Sequence, residues 1–427
     1  MTEVHVIGAG LAGLSAALHL AESGAKVTLY EAAPQAGGRC RSFHDDRLGR
    51  LIDNGNHLLL GANDAAFAFM RRTGGVAAVT EIAPAAFPFL DLKTGESWTV
   101  RPNAGRIPWW ILRRERRVPH TAALDYLSAL QLLRARPSST VADCIDTSTH
   151  LATAFWTPLV VAVMNAAPGD AAAYPLAAML RETFGRGEAA CRPWVALGGL
   201  SAALVDPALR HLSELGVAYR GGWRLVHIER EAGHVRSLRF DGGEVDIGAD
   251  AKVVLAVPPY IAAELLPGLV VPEGSNAIVN AHFRLDRPAA LPGGQPLLGL
   301  INSTVHWLIA RDDILSLTVS AADALIDMPS EALIGTLWGD VAGALRMPAA
   351  AIPPVRLIKE KRATFAQTPE NVAKRPKPAT AWRNLFLAGD WTDTGIPATI
   401  ESAVRSGVAA GREVLRTTGG RCNARRT

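Results

Sequence analysis

The sequence predicts an α/β chain: a parallel-sheet domain built on βαβ units, with an α+β domain interleaved in it. Three observations carry this. Val4–Glu31 reads as a complete strand–helix–strand unit with a glycine-rich first turn. Asn384–Gly407 reads as strand, loop, helix. Between them the pattern changes character at about residue 70 and again at about residue 260.

In the first unit, the apolar strand Val4–Ile7 runs into Gly8-Ala9-Gly10-Leu11-Ala12-Gly13. A helix is predicted over Leu14–Ser23, ended by Gly24, and a second strand, Lys26–Tyr30, finishes on Glu31. Gly8 allows the tight turn, Gly10 lets backbone approach a pyrophosphate, and Gly13 lets helix and strand pack closely. The helix start then offers free N–H groups and partial positive charge to phosphates. Glu31 is placed to accept hydrogen bonds from a ribose diol. A lone GxGxxG is matched as well by an ordinary glycine-rich turn. Strand, helix, second strand and acid together make a dinucleotide site.

At 427 residues, 49% hydrophobic and 20% charged, the chain can bury a large core and is expected to hold two domains. A net charge of +4, with the basic residues not arrayed as a stripe, argues against nucleic acid as a partner. Cys40, Cys144, Cys191 and Cys422 are far apart and lack metal-ligand spacing, so they read as isolated reduced thiols and no metal is expected. The fingerprint strand begins at residue 4, which implies no cleaved leader and a cytoplasmic location. The uncharged run Leu151–Gly169 is interrupted by Pro158 and diluted by Asn165. It reads as a broken helix pair, buried or lining an apolar cavity, and not as a span of about 20 apolar residues.

After Glu31, Gly37-Gly38-Arg39 supplies permissive backbone and a phosphate-neutralising cation. Directly after such a unit it reads as a second cofactor contact and not only as a surface turn. Leu51–His57 reads as a strand end carrying polar groups; His57 alone would be an ordinary core histidine. Residues 70–195 are helical in tendency and lack strand–turn–strand rhythm. Within them, Ile107, Trp109, Trp110 and Leu112 precede Arg113, Arg114, Arg116 and Arg117. Two readings stand for this stretch: a membrane interface, with indoles at headgroup level and arginines on anionic lipid, or a solvated helix whose tryptophans pack inward. Ala122–Leu133 reads as a separate amphipathic helix.

Ser201–Leu215 is a predicted helix closed by Gly216. Strands are predicted at Val217–Arg220, Arg224–Glu229 and Val235–Phe240, and Lys252–Val257 is a buried strand stopped by Pro258 and Pro259. Apolar alternation at Leu297–Trp307 and Leu315–Ser320 predicts an antiparallel sheet, and Ser330–Leu345 a helix capped by Ser330. No second GxGxxG follows a strand, which argues against a separate nicotinamide domain. The tail after Arg416 is short and basic and is expected to be disordered.

Gly8-x-Gly10-x-x-Gly13, Glu31, Gly37-Gly38-Arg39 and Asp53-x-Gly55-x-His57 together resemble the flavin-dependent amine oxidase and carotenoid desaturase superfamily, over residues 3 to about 415. The resemblance implies FAD as cofactor and a Rossmann-like FAD-binding domain of the glutathione-reductase type with an interleaved α+β substrate domain. The FAD-binding domain would comprise residues 1–70, 195–260 and 381–416, the substrate domain residues 71–194 and 261–380, and the disordered tail residues 417–427. Cofactor contacts are implied at Gly8, Ala9, Gly10, Leu11, Ala12, Gly13, Glu31, Ala32, Gly38 and Arg39, then at Gly55, Asn56 and His57. A backbone contact to adenine is implied at Val226, and contacts to the ribityl–phosphate and pyrimidine end at Gly389, Asp390, Thr399 and Ile400.

Within it, DNGNHLLLGAN (53–63), FWTPLVVAVMN (155–165), PWVALGGLSAAL (193–204) and LAGDWTDTGIPATIESAVRSG (387–407) most resemble the branch of the hydroxysqualene dehydroxylases of bacterial hopanoid synthesis. It implies reductive removal of an allylic hydroxyl, with hydride from reduced flavin and a proton from an acid. His57 and Glu401 are the candidate acids, each with the alternative of only positioning the cofactor. The implied partners are a polyisoprenoid lipid and, peripherally, the inner face of the cytoplasmic membrane; the oligomeric state is left open. A polyisoprenoid desaturase stays open as the oxidative alternative. An amine oxidase is disfavoured because no aromatic pair can be placed, although Trp391 is near. A non-enzymatic prenyl-lipid escort is disfavoured by the intact cofactor motifs.

Overall fold

The computed structural model of the chain describes residues 2–419. Five short strands form a parallel sheet in the order Ala218–Gly221, Lys26–Glu31, Glu3–Ile7, Lys252–Leu255, Leu385–Leu387. Numbered along the chain, that order is 3-2-1-4-5, the doubly wound arrangement, whose ligands sit beyond the carboxyl ends of the strands. Glu3–Ile7, Lys252–Leu255 and Leu385–Leu387 are buried on both faces, which explains their continuous apolar runs, whereas the edge strand Ala218–Gly221 is exposed.

The fingerprint helix, Leu11–Glu22, packs on the C-terminal helix, Ile400–Gly419. Their close approach needs Gly407, where an added Cβ would lie 2.2 Å from the Ala12 carbonyl oxygen. Ser15 Oγ donates to Val404 O across the same contact, at 3.0 Å. The two motifs farthest apart in sequence are thereby fixed side by side. The helix runs through Gly419, so the expected break after Arg416 does not occur there; Cys422 and the rest of the predicted tail lie outside the described residues.

A seven-stranded sheet occupies the other part of the molecule, in the order Val355–Phe365, Ser275–Arg284, Ile314–Val319, Trp307–Arg311, Leu297–Ile301, Phe87–Asp91, Ser97–Val100. It is mixed and not purely antiparallel, because Phe87–Asp91 runs parallel to Leu297–Ile301. The hairpin 87–100 corrects the expectation that residues 70–195 lack strands. Its turn is set by Asp91, whose Oδ1 accepts from Lys93 N at 2.8 Å, and by Gly95 at φ +74°. Helix Ser330–Leu345 covers one face of this sheet, with Trp338 against Phe283 at a ring separation of 5.0 Å. Its cap position is Pro329, so Ser330 does not cap it.

The run from Leu151 is not a broken pair. It is one helix whose Ala152–Trp156 turn is π-wound before the α-helical Thr157–Met164. In a regular α-helix the ring of Pro158 would press on the carbonyl of Ala154; the wider turn relieves that clash without ending the helix. The helix ends at Asn165, at φ +50°. No helix among the described residues is long and apolar enough to cross a membrane.

Candidate active site

The fingerprint turn has the shape a pyrophosphate needs. Gly8 adopts φ +101°, and a Cβ there would lie 2.4 Å from Ala256 O. A Cβ on Gly13 would fall 1.8 Å from Gly8 O, whereas one on Gly10 would meet no protein atom within 4 Å. Gly8 and Gly13 are therefore required by packing, and Gly10 faces the open crevice. The helix start has no side-chain cap and no acid in its first turn, so its leading N–H groups, at Leu11, Ala12 and Gly13, are left for an anion. The Glu31 carboxylate accepts from Ala9 N at 2.8 Å and from Ala33 N at 2.9 Å, which ties the acid to the turn and brings Ala32 alongside. Trp223 N donates to Glu31 O at 2.8 Å, so the strand carrying Val226 starts beside the same end; Val226 itself is half exposed.

The second cluster forms from both ends of the chain. Gly37 N donates to Ala9 O at 2.8 Å, and the Cβ position of Gly38 lies 3.5 Å from Gly10 Cα. Arg39 Nη2 then reaches Asp390 Oδ1 at 2.7 Å. Thr399 Oγ1 accepts from Ser402 N at 3.3 Å, at the start of the helix that begins with Ile400. Gly389 N is held by Ser406 Oγ at 2.8 Å. The predicted cofactor residues 8–13, Glu31, Ala32, Gly38, Arg39, Gly389, Asp390, Thr399 and Ile400 are thus brought together at the carboxyl ends of the parallel strands, and the groups present there fit an FAD.

Residues 53–57 meet the large sheet. Asp53 and Arg311 form a buried ion pair at 2.8 Å, with side chains 7% and 12% exposed. The same carboxylate accepts from Ser42 Oγ at 2.5 Å and Leu200 N at 2.8 Å. Asn56 Nδ2 donates to Leu317 O and Thr318 Oγ1, at 3.0 and 3.1 Å, so its side chain is committed to the sheet. Beside Gly55 stands the buried Asn280. His57, Asp53, Asn56, Arg311 and Ser316 line a cavity of about 20 Å³ between the two parts, room for about one water.

The two candidate acids differ. His57 Nδ1 lies 3.0 Å from Gly55 O. A carbonyl only accepts, so Nδ1 carries the proton and the neutral ring presents an Nε2 lone pair. Burial pushes the ring below the ordinary imidazole pKa and outweighs the opposing pull of that bond. His57 as found is an acceptor. Glu401 is almost fully buried and its carboxylate is fully engaged: Oε1 accepts from Ala65 N and Arg405 Nε, and Oε2 from Ala66 N. Those two N–H groups open helix Asp64–Thr73. Glu401 caps that helix onto the C-terminal one, and this geometry takes it out of the candidate acids.

Sequence reasoning missed three residues. Gln367 bridges Met164 O (2.7 Å) and Ala398 N (2.8 Å), joining the π-wound helix to the loop before the C-terminal helix. Arg375 is buried among that loop's carbonyls. Arg311 could have been found, since Trp307, Ile309 and Arg311 share a strand face and a charge there points inward. The other two carry no local signal. Cys40, Cys144 and Cys191 are buried free thiols, and burial pushes Cys40 and Cys191 up to about 12.

This combination of nucleotide crevice and facing sheet defines a flavoprotein oxidoreductase, and the model of the flavin containing amine oxidoreductase family matches residues 11–415. The chain belongs to that family and is an FAD-dependent oxidoreductase. It is 45% identical over 413 residues to a hydroxysqualene dehydroxylase of Rhodopseudomonas palustris, covering 96% of this chain and 98% of that one. It is 44% identical over 404 residues to a protein of the same name from Sinorhizobium fredii, covering 95% and 96%. Among solved structures, an oxidoreductase of Methanosarcina mazei superposes with a TM-score of 0.72 at 17% identity, over 96% of this chain and 100% of that one. Cyclohexylamine oxidase of Brevibacterium oxydans does so with a TM-score of 0.70 at 18% identity, over 98% and 99%. These two show the fold.

Proposed function

We propose that the chain removes the allylic hydroxyl of hydroxysqualene reductively, giving squalene and water. The observation that carries this is the full-length relatedness to the Rhodopseudomonas dehydroxylase, 45% over 413 residues. FAD, when bound and reduced, supplies the hydride that replaces the hydroxyl. The chain supplies placement. Gly10, the first-turn N–H groups, Glu31 and Arg39 hold the ADP half, and Gly389, Asp390, Thr399 and Ile400 the flavin half. Residues 1–70, 195–260 and 381–416 form the FAD-binding part, and 71–194 with 261–380 the substrate-binding part.

In this reading His57 orients the substrate, its Nε2 lone pair accepting a hydrogen bond from the hydroxyl. The proton that leaves with that hydroxyl comes from another donor. The apolar cluster of Trp110, Tyr126, Phe155, Trp156 and Leu176 excludes water from a long hydrocarbon.

The segment after residue 100 also supports peripheral contact with the inner face of the cytoplasmic membrane. Trp110 packs inward, 4% exposed and edge-on to Tyr126, so only Trp109 remains of the expected indole pair. Ile107, Trp109 and Leu112 are 77%, 43% and 67% exposed, and Leu124, Leu127 and Leu130 are 74%, 50% and 47% exposed. Exposed Arg106, Arg113 and Arg114 flank them. A contiguous apolar rim bordered by arginines suits an anionic bilayer, from which a polyisoprenoid substrate would be drawn.

The deciding experiment incubates the purified protein anaerobically with FAD, a reductant and hydroxysqualene. Squalene is expected. No squalene there, with new conjugated double bonds from a polyene under oxidising conditions, would replace the dehydroxylase reading with a desaturase.

A further inference from the structure

Arg375 follows directly on the short helix Pro369–Ala373 and its C-cap, Lys374. It is 7% exposed. Its donors point at the loop ahead of the C-terminal helix and at the first turn of that helix. Nε donates to Thr392 O at 2.9 Å and Nη1 to Ile396 O at 2.7 Å. Nη2 is shared among Asp390 O and Thr394 Oγ1, each at 3.0 Å, and Ser402 Oγ at 3.4 Å. Every acceptor is neutral. The carboxylates whose field it feels are those of Asp390 and Asp393. Both are committed elsewhere: Asp390 Oδ1 to Arg39 at 2.7 Å, and Asp393 Oδ1 to Gly395 N at 3.3 Å.

Arg375 is thus a buried cation solvated by carbonyl and hydroxyl dipoles without a bonded counter-ion. Burial accordingly lowers its proton affinity, against the pull of the two aspartates. Such a charge carries a desolvation penalty that no ion pair offsets. Bracing a loop does not require that cost, since neutral amides brace Met164 and Ala398 through Gln367. Ser402, one of its acceptors, stands in the first turn of the C-terminal helix, whose N-terminus already bears partial positive charge. The full charge and the helix end therefore act on the same spot.

We propose that Arg375 is a positioning residue for the cofactor: it fixes the 390–396 loop and supplies, with the helix start, the positive potential that favours the reduced, more negative form of FAD. This rests on placing the flavin's pyrimidine end at Thr399–Ser402, as in the functional reading above.

The test equilibrates FAD-loaded protein anaerobically with a reference dye and reads the reduced-to-oxidised flavin ratio from the visible spectrum. Arg375→Gln is expected to lower that ratio about tenfold at a fixed dye potential, about 30 mV for a two-electron couple. Asp393→Asn keeps an acceptor for Gly395 and removes an exposed opposing charge; it is expected to raise the ratio by about twofold, more at low salt. A purely structural Arg375 would lower the thermal midpoint and leave the ratio where it was, and that outcome overturns the proposal. If Arg375→Gln does not fold or hold FAD, Asp393→Asn decides, and an unmoved ratio at low salt again overturns it. Wild-type protein that takes up no flavin would sink the cofactor placement itself, a separate failure.

Discussion

Glu31 has its carboxylate oriented by two backbone donors, Ala9 N and Ala33 N, which leaves its remaining lone pairs for a ribose. Glu31→Ala is expected to weaken FAD binding by about 1.5–3 kcal/mol, roughly tenfold to hundredfold, the range for hydrogen bonds to a charged group. The fold should persist, because the side chain is not part of the core. Undiminished flavin in the variant after gel filtration would count against the ribose contact. Asp53 and Arg311 give the opposite case, a pair whose partners need each other. Arg311→Met would leave the Asp53 carboxylate buried with only Ser42 Oγ and Leu200 N as donors. A loss of about 3–5 kcal/mol in unfolding free energy is expected, and Asp53→Asn combined with Arg311→Met should recover much of it. Urea unfolding of wild type and the two variants checks this; a double variant no better than Arg311→Met would mean the pair is not the coupled unit.

At the scale of elements, what was legible followed from locality. The strand–helix–strand unit was readable because its glycines, apolar runs and terminal acid lie within residues 4–31 and each has a local reason. Hairpin 87–100 was missed, although Asp91 and Gly95 mark its turn, because Leu297–Ile301, which pairs with it, lies two hundred residues on. Pro158 misled because only the widened turn ahead of it shows that the helix continues. Glu401 looked chemical for its place in a motif, whereas two of its three partners, Ala65 and Ala66, come from a helix the motif does not contain. Trp109 and Trp110 are adjacent yet one is exposed and one buried, a distinction no periodicity gives for a single 3₁₀ turn. The stretch Ala123–Leu133 is helical, as expected, but turns Leu124, Leu127 and Leu130 outward. Transfer of such a leucine into lipid is worth about 1.5–3 kcal/mol. Leu124→Glu with Leu127→Glu is therefore expected to reduce partitioning onto anionic liposomes by about a hundredfold or more. Because both side chains are exposed, thermal stability should change by no more than about 0.5 kcal/mol per site. Unchanged co-sedimentation of the folded variant would return this face to plain solvent exposure.

The whole molecule joins two parts through buried polar groups, and that makes it sensitive to acid. His282 is fully buried on the large sheet, with Nδ1 2.7 Å from Ser316 Oγ. Burial, aided by Arg311, pushes its pKa from 6.5 to about 4. Burial also lowers His5, His19, His57 and His306. Above pH about 6.5 these rings are neutral in folded and unfolded chains alike, and they add nothing to the pH dependence. Below that, the unfolded chain takes up protons that the folded chain refuses, so stability falls as pH falls. For His282 the fall continues until the pH passes about 4, where the folded form protonates as well. At 1.36 kcal/mol per unit, His282 alone accounts for about 2 kcal/mol between pH 6.5 and 5, and the other four rings add to it. Urea unfolding at saturating FAD should therefore show a clear loss of stability from pH 7 to pH 5, before most carboxylates protonate. His282→Asn can keep a donor or acceptor near Ser316 Oγ but cannot titrate. It is expected to be less stable than wild type at pH 7 and to lose less on going to pH 5. Equal slopes in the two proteins would remove His282 from this account, and a flat wild-type profile would mean that the buried rings are protonated in the folded chain at no cost. The same seam that holds His282 near Arg311 and Asp53 also holds the 53–57 loop, so protonation of His282 acts on the junction of the two parts as well as on the large sheet.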